Sequence, residues 1–205
     1  MKVLLSFFGL CLSSYLPAHC QATGTSQAAT TEQRLAEDLG VDRLRSALLP
    51  STETRNTALL LQSGVGNAAT INQLSLGSLT NQASVVQTGN GNALGLDQMG
   101  TGNQTNFSQT GDANQAALRQ NGTTNTIVGR VLGNNNNVDV DQLGTGNQYS
   151  TQLTGNQGRY VIDQVGNNNS LTQRETSTTT PLPGYEVKME GNNMHLTIEQ
   201  GKVFP

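Results

Sequence analysis

The stretch Gln87-Thr88-Gly89-Asn90-Gly91-Asn92-Ala93-Leu94-Gly95-Leu96-Asp97-Gln98 decides the fold, because its last residue opens the same phrase again at Gln98-Met99-Gly100-Thr101-Gly102-Asn103. Around it a glycine stands every eleven residues, at Gly89, Gly100, Gly111, Gly122, Gly133, Gly144, Gly155 and Gly166, usually with glutamine two residues earlier. A fixed short period marks a unit that stacks on itself, unlike the unequal elements of an ordinary core. Aligned on that period the unit reads Asn-x-Ala-x-Leu-x-Gln-x-Gly-x-x. Eleven copies start at Asn56, Asn67, Asn81, Asn92, Asn103, Asn114, Asn125, Asn136, Asn147, Gly158 and Asn169. The spacing slips once, by three residues between Gln73 and Asn81, in a turn carrying Gly77. A stack accepts insertions at such turns because its strands keep their register.

The marked residues recur at every second position, the period of a strand. Asn, Ala, Leu and Gln therefore share one face, with apolar pairs such as Ala69 and Ile71, Ala83 and Val85, or Ala116 and Leu118 between the amides. Thr70, Asn72, Gln104, Asn106, Arg119, Asp139, Asp141 and Asp163 fall on the other face. A four-residue turn such as Ser63-Gly64-Val65-Gly66 joins consecutive strands, and glycine supplies its positive φ. Two strands and their turns make one 22-residue coil, with each strand hydrogen-bonded to the strand two units along. Five and a half coils would stand about 26 Å tall at ~4.8 Å per layer. The fold expected is all-β, a β-solenoid, preceded by a short helix.

The candidate functional residues are the repeated amides, since stacked Gln and Asn pair with their equivalents one layer away and reinforce a cross-β stack. They are Gln62, Gln73, Gln87, Gln98, Gln109, Gln120, Gln142 and Gln164, with Asn67, Asn81, Asn92, Asn103, Asn114, Asn125, Asn136, Asn147 and Asn169. Gly64 joins the eight periodic glycines as a turn residue. Val131 and Leu153 replace the glutamine, Gly158 replaces the asparagine, and Gly129 leaves a hole in an inward face, so these coils should be the weakest.

Composition agrees with a stack held by backbone and amides. Of the 205 residues, 12% are charged, 4% are aromatic, and tryptophan is absent, which leaves little material for a conventional core. A net charge of −3 without a basic stripe argues against nucleic acid as a partner. Residues 1–20 read as a secretory signal, with Lys2 ahead of an apolar run broken by Pro17, and cleavage expected after Cys20 or Ala22. Lipidation at Cys20 is the alternative, but Pro17 and His19 suit it badly. Both cysteines, Cys11 and Cys20, lie in this segment, so a mature chain would hold no disulfide.

Proline marks the remaining boundaries, as none lies between Pro50 and Pro181 and a sheet tolerates it poorly. Residues 56–175 form the repeat block. Residues 21–55 precede it as a segment for secretion targeting or capping, with a short amphipathic helix expected over 30–49 from Leu35, Leu39, Leu44 and Leu48. Residues 176–205 follow as a Thr-rich linker and a terminal β-hairpin around Gly191-Asn192-Asn193, resembling a degenerate last coil. No catalytic set, metal site or cofactor fingerprint emerges. His195 stands alone, Asp139 and Asp141 are too few for calcium, the run Asn134 to Asn137 reads as a turn and strand start, and each Gly-x-Gly is a turn of the period.

At Gln62 to Gln73, Gln87 to Gln98 and Gln98 to Gln109, each with Gln-x-Gly-x-Gly-Asn, the chain resembles the curlin family, the subunits of the bacterial extracellular amyloid fibres called curli. The resemblance covers roughly 120 residues, and the Asn-led spelling is closer to the minor, nucleating type than to the major one. It implies a non-enzymatic subunit exported through the periplasm of a Gram-negative bacterium and an outer-membrane channel with accessory proteins. Self-association with other curlin subunits into adhesive biofilm fibres would follow. A capped, monomeric solenoid that binds ice, carbohydrate or another surface is the competing expectation. A solenoid enzyme ranks third, for want of clustered acids or bases.

Overall fold

Alternation of inward and outward side chains converts the repeat into short strands, one per unit. The computed structural model describes residues 19–25, 56–176 and 184–201. Its strands are β1 (His19–Thr25), β2 (Thr57–Ser63), β3 (Ala68–Ser75), β4 (Gln82–Thr88), β5 (Ala93–Thr101), β6 (Gln104–Thr110), β7 (Gln115–Thr123), β8 (Thr126–Leu132), β9 (Asn137–Thr145), β10 (Gln148–Thr154), β11 (Arg159–Asn167), β12 (Ser170–Thr176), β13 (Tyr185–Asn192) and β14 (His195–Gly201). The helix expected over 30–49 and nearly all of the signal segment lie outside the described residues.

The strands form two seven-stranded sheets, and each strand pairs with the strand two places along, as the 22-residue coil requires. Sheet one runs β1-β3-β5-β7-β9-β11-β13; sheet two runs β2-β4-β6-β8-β10-β12-β14. All pairs within 57–201 are parallel and in register, for example Gln98 opposite Gln120 and Gln120 opposite Gln142. The offset rises to 25 where β3 meets β5, Ala68 opposite Ala93, so the insertion near Gly77 is absorbed outside the ladder.

The same offset recurs at the C-terminus, Tyr160 opposite Tyr185 and Ser170 opposite His195. The last two strands are thus not a hydrogen-bonded hairpin. They belong to different sheets and continue the solenoid as the degenerate coil, because Val187, Met189 and Ile198 still point inward. The stack from β2 to β14 comprises six two-strand coils and one additional strand.

That odd strand makes the parallel set of sheet two one rung taller than that of sheet one. β1, the one antiparallel strand among the described residues, lies against β3 at the N-terminal end of sheet one and brings both sheets to seven.

The core is the thin space between the sheets, lined on most strands by inward apolar residues, with Thr105, Thr151, Gln173 and Glu175 among the buried polar ones. Phe107, Tyr149 and Tyr160 are its largest apolar members, all essentially inaccessible. Gly129 leaves no hole there, contrary to expectation. A Cβ on Gly129 would strike the Phe107 ring of the preceding layer, and one on Gly158 would strike the Tyr160 ring, so each glycine makes room for an aromatic neighbour. Two of the coils expected to be weakest are instead filled by a large residue paired with a small one.

Candidate functional site

Positive φ at the turn glycines lets the chain reverse between sheets, and their missing side chains let successive turns stack. Gly111, at φ 116°, packs so closely that an added Cβ would overlap the Gly133 carbonyl; Gly64, Gly89, Gly100, Gly122, Gly133, Gly144 and Gly166 meet the next layer in the same way. Gly155 shares the positive φ. The turn backbones are bonded too, Gly111 N–H donating to the Thr88 carbonyl at 2.9 Å and Ala113 N–H to that of Asn90 at 2.9 Å.

Each asparagine called from the sequence is buried beside such a turn. Its side chain serves backbone as well as its equivalents. Asn92 Oδ1 accepts from the Asn114 N–H at 3.1 Å, while Asn92 Nδ2 donates to the Gly111 carbonyl at 2.7 Å. The corner carbonyl that cannot join a strand ladder is satisfied this way. Asn67, Asn92, Asn114 and Asn136 form the column of sheet one; Asn81, Asn103, Asn125, Asn147 and Asn169 form that of sheet two.

The glutamines form two further columns. In sheet one Nε2 donates to Oε1 of the next layer without interruption: Gln73 to Gln98 at 2.7 Å, Gln98 to Gln120 at 2.8 Å, Gln120 to Gln142 at 2.9 Å and Gln142 to Gln164 at 2.8 Å. Each amide also reaches across to a carbonyl of the facing strand, as Gln120 Nε2 does to Gln104 O at 3.2 Å. In sheet two the column runs Gln62 to Gln87 to Gln109 and stops at Val131. Gln109 Nε2 then rests on the Ala93 carbonyl at 3.3 Å, so the break strands no donor.

Beyond that break, sheet two carries a different buried group that the repeat alignment did not single out. Leu153 and Glu175 occupy the glutamine column of β10 and β12, and Glu175 is 1% exposed. It lies beside Tyr160, whose ring meets Tyr185 edge-on at 5.1 Å. Burial pushes the Glu175 carboxyl above its ordinary value, and the Tyr160 hydroxyl opposes that rise. Burial also raises Tyr149, Tyr160 and Tyr185. Tyr149 donates to Gln173 Oε1 at 2.5 Å, and Thr151 to the same atom at 3.2 Å. The signal for this cluster was an acid at an inward position of the alternation.

The outer faces carry the remaining candidates. Asp141 pairs with Arg119 at 2.9 Å, both solvent-exposed, and such a pair contributes at most ~1 kcal/mol. Asp139 is exposed on the same face, and His195 is exposed at the start of β14. Asn134 to Asn137 supply a turn, a left-handed residue at Asn135, a buried column member and an outward strand residue. Among the described residues no group of three or more His, Cys, Asp and Glu is placed to hold a metal.

The strand edges complete the arrangement. Among the described residues no strand pairs with the outer edge of β2 at the N-terminal end, and Ala58, Leu60 and Gln62 there are half-buried. At the C-terminal end β13 and β14 are both edge strands among the described residues. Such edges present unpaired N–H and C=O groups able to template another strand.

Comparison with protein-family models, with curated proteins and with solved structures finds no match for the chain.

Proposed function

We propose that this protein is a structural subunit of an extracellular, curli-type amyloid fibre serving adhesion and the biofilm matrix. The observation that carries the reading is the in-register parallel stack, whose glutamine and asparagine columns run along the molecular axis between the edge strand β2 at one end and the edge strands β13 and β14 at the other, as the described residues place them. The forces that hold one coil to the next can act between molecules: backbone ladders, amide columns and about 1.5–3 kcal/mol for each fully buried aliphatic side chain. Export through the periplasm and an outer-membrane channel, largely unfolded and assisted by accessory proteins, suits an apolar signal at the start of the chain and a repeat that folds by adding coils. The role is non-enzymatic and needs no cofactor. Its partners are other subunits and the export machinery.

The second reading, a capped monomeric solenoid that binds a surface or carbohydrate, draws support from β1, which covers one edge of sheet one. One assay separates the two. The purified chain at micromolar concentration is followed by thioflavin fluorescence and electron microscopy; the fibre reading expects seeded growth of unbranched fibres, and a persistent soluble monomer refutes it.

A further inference from the structure

The charges of this solenoid are divided between its two outer faces. Asp97, Asp139, Asp141, Asp163, Glu186 and Glu190 project from sheet one, partly offset by Arg119, Arg159 and Lys188. From β4 to β12 the outward positions of sheet two hold no acid, and their two charges are both arginines, Arg130 and Arg174. The net charge of −3 conceals this, because it averages an acidic face with a basic one.

Arg130, Gln152 and Arg174 stand opposite one another on β8, β10 and β12 in one outward column, and Val128, Ser150 and Thr172 form the next column on the same strands. An open groove of about 420 Å³ is lined by residues of β6, β8, β10 and β12, and so follows the stack axis. Two strand spacings separate the arginines, about 10 Å of backbone. Arg130 is exposed and makes no ion pair among the described residues. Arg174 has only a loose one, to Glu199 at 3.9 Å with both side chains about two-thirds exposed, and such a pair yields readily to another anion.

Guanidinium forks take planar carboxylates bidentately. The other groups that the argument needs are uncharged hydrogen-bonders, Ser150, Gln152 and Thr172, with Val128 46% exposed beside them. This combination fits a sugar, whose hydroxyls pair with neutral groups and whose ring offers an apolar C–H face. In an extended β-linked uronic acid chain successive rings face opposite ways, so a carboxylate meets the sheet at every second sugar, close to the spacing of the two arginines. Single-stranded nucleic acid fits less well, since its binders stack bases on aromatic side chains. Every phenylalanine and tyrosine among the described residues, Phe107, Tyr149, Tyr160 and Tyr185, packs into the core instead.

We infer that the outer face of sheet two carries a binding groove for an acidic polysaccharide, whose carboxylates pair with Arg130 and Arg174 while its hydroxyls bond Ser150, Gln152 and Thr172. The groove lies within one molecule, so the inference does not rest on the fibre reading.

The probe is a fluorescently labelled polymannuronate hexasaccharide, its binding to the full chain read by anisotropy in the soluble form and by co-sedimentation where the chain has assembled. Arg130→Gln and Arg174→Gln should each weaken binding about tenfold, ~1.4 kcal/mol. Arg119→Gln, on the opposite face, should leave it unchanged, and circular dichroism checks that each variant is folded. The hexasaccharide with its carboxyls reduced to alcohols and an oligothymidylate of equal charge should both bind at least tenfold more weakly than the acidic sugar. Absence of hexasaccharide binding, equal binding of the reduced form, or an equal loss in Arg119→Gln overturns the inference. Binding of the oligothymidylate as tight as that of the hexasaccharide also overturns it, and gives the groove to polyanions in general. Thioflavin fluorescence enters none of these readouts, so their failure and that of the fibre reading are separate results.

Discussion

Gln120→Leu and Gln164→Leu make the same chemical change at two places in one column, yet the structure gives them different costs. Gln120 Oε1 accepts from Gln98 at 2.8 Å and from the Thr105 hydroxyl at 2.9 Å, and its Nε2 donates to Gln142 Oε1 at 2.9 Å. Leucine there orphans the Gln142 oxygen and the Thr105 proton. Gln98 Nε2 keeps its bonds to the Gln82 carbonyl and to Thr105. A buried orphan costs about 1–3 kcal/mol, and leucine recovers about 1 kcal/mol of apolar burial. The expected net loss is about 2 kcal/mol. At Gln164 the next residue is Met189, which has no acceptor oxygen to be stranded, and Gln142 Nε2 retains the Thr126 carbonyl at 3.1 Å. Gln164→Leu should be close to neutral.

The difference corresponds to roughly a thirtyfold change in local opening, readable as hydrogen exchange of the amides of β5–β9 around Gln120 and of β9–β13 around Gln164 in soluble monomer, and as a guanidinium midpoint shift. Equal losses at the two positions would refute a directional column and leave simple packing as the account of both.

Three further outcomes follow from the same geometry. Thr124 is a β-branched residue at φ 53°, where the left-handed region costs an L-residue about 1–2 kcal/mol; Thr124→Gly should stabilise the chain by up to ~1 kcal/mol in equilibrium unfolding, once glycine's own chain entropy is deducted. Gly129→Ala would force a methyl into the Phe107 ring and should cost about 1–3 kcal/mol, with Phe107→Leu recovering part of the loss in a double-mutant cycle. For Glu175 the folded-state pKa lies above the ordinary value of 4.5 because of burial, so the folded chain holds the proton more tightly. Its stabilisation is complete below that ordinary value and is lost as pH rises through the raised one. The last coils should therefore exchange faster at pH 7 than at pH 4 after correction for intrinsic rates, and Glu175→Gln should abolish that dependence; an unchanged pH profile in the variant would count against a buried acid.

The period alone carried the reading a long way at particular residues. Gln98, Asn103 and Gly100 sit where an eleven-residue alternation puts them, because a strand has only two faces and a stacked turn only one shape that glycine fits. The extension of the stack through β13 and β14 was less legible, since Met189 and Met194 replace the amides that reveal the register. Gly129 read as a defect because its filler, Phe107, is 22 residues distant in sequence and adjacent only through the sheet. Ala113, Thr124 and Gln157 hold the left-handed turn position without glycine, so no local signal marked them. There the stacked turns impose the conformation.

The sequence by itself determined the coil: its length, the inward and outward faces, the strand-to-strand register and the identity of the amide columns. All of these follow from periodicity, because in-register stacking is the arrangement that satisfies a repeated buried amide. Only the tertiary structure decided the direction of the glutamine column, the unequal heights of the parallel sheets and the burial of Glu175. Those are properties of where a stack begins and ends, and a repeat carries no information about its own ends.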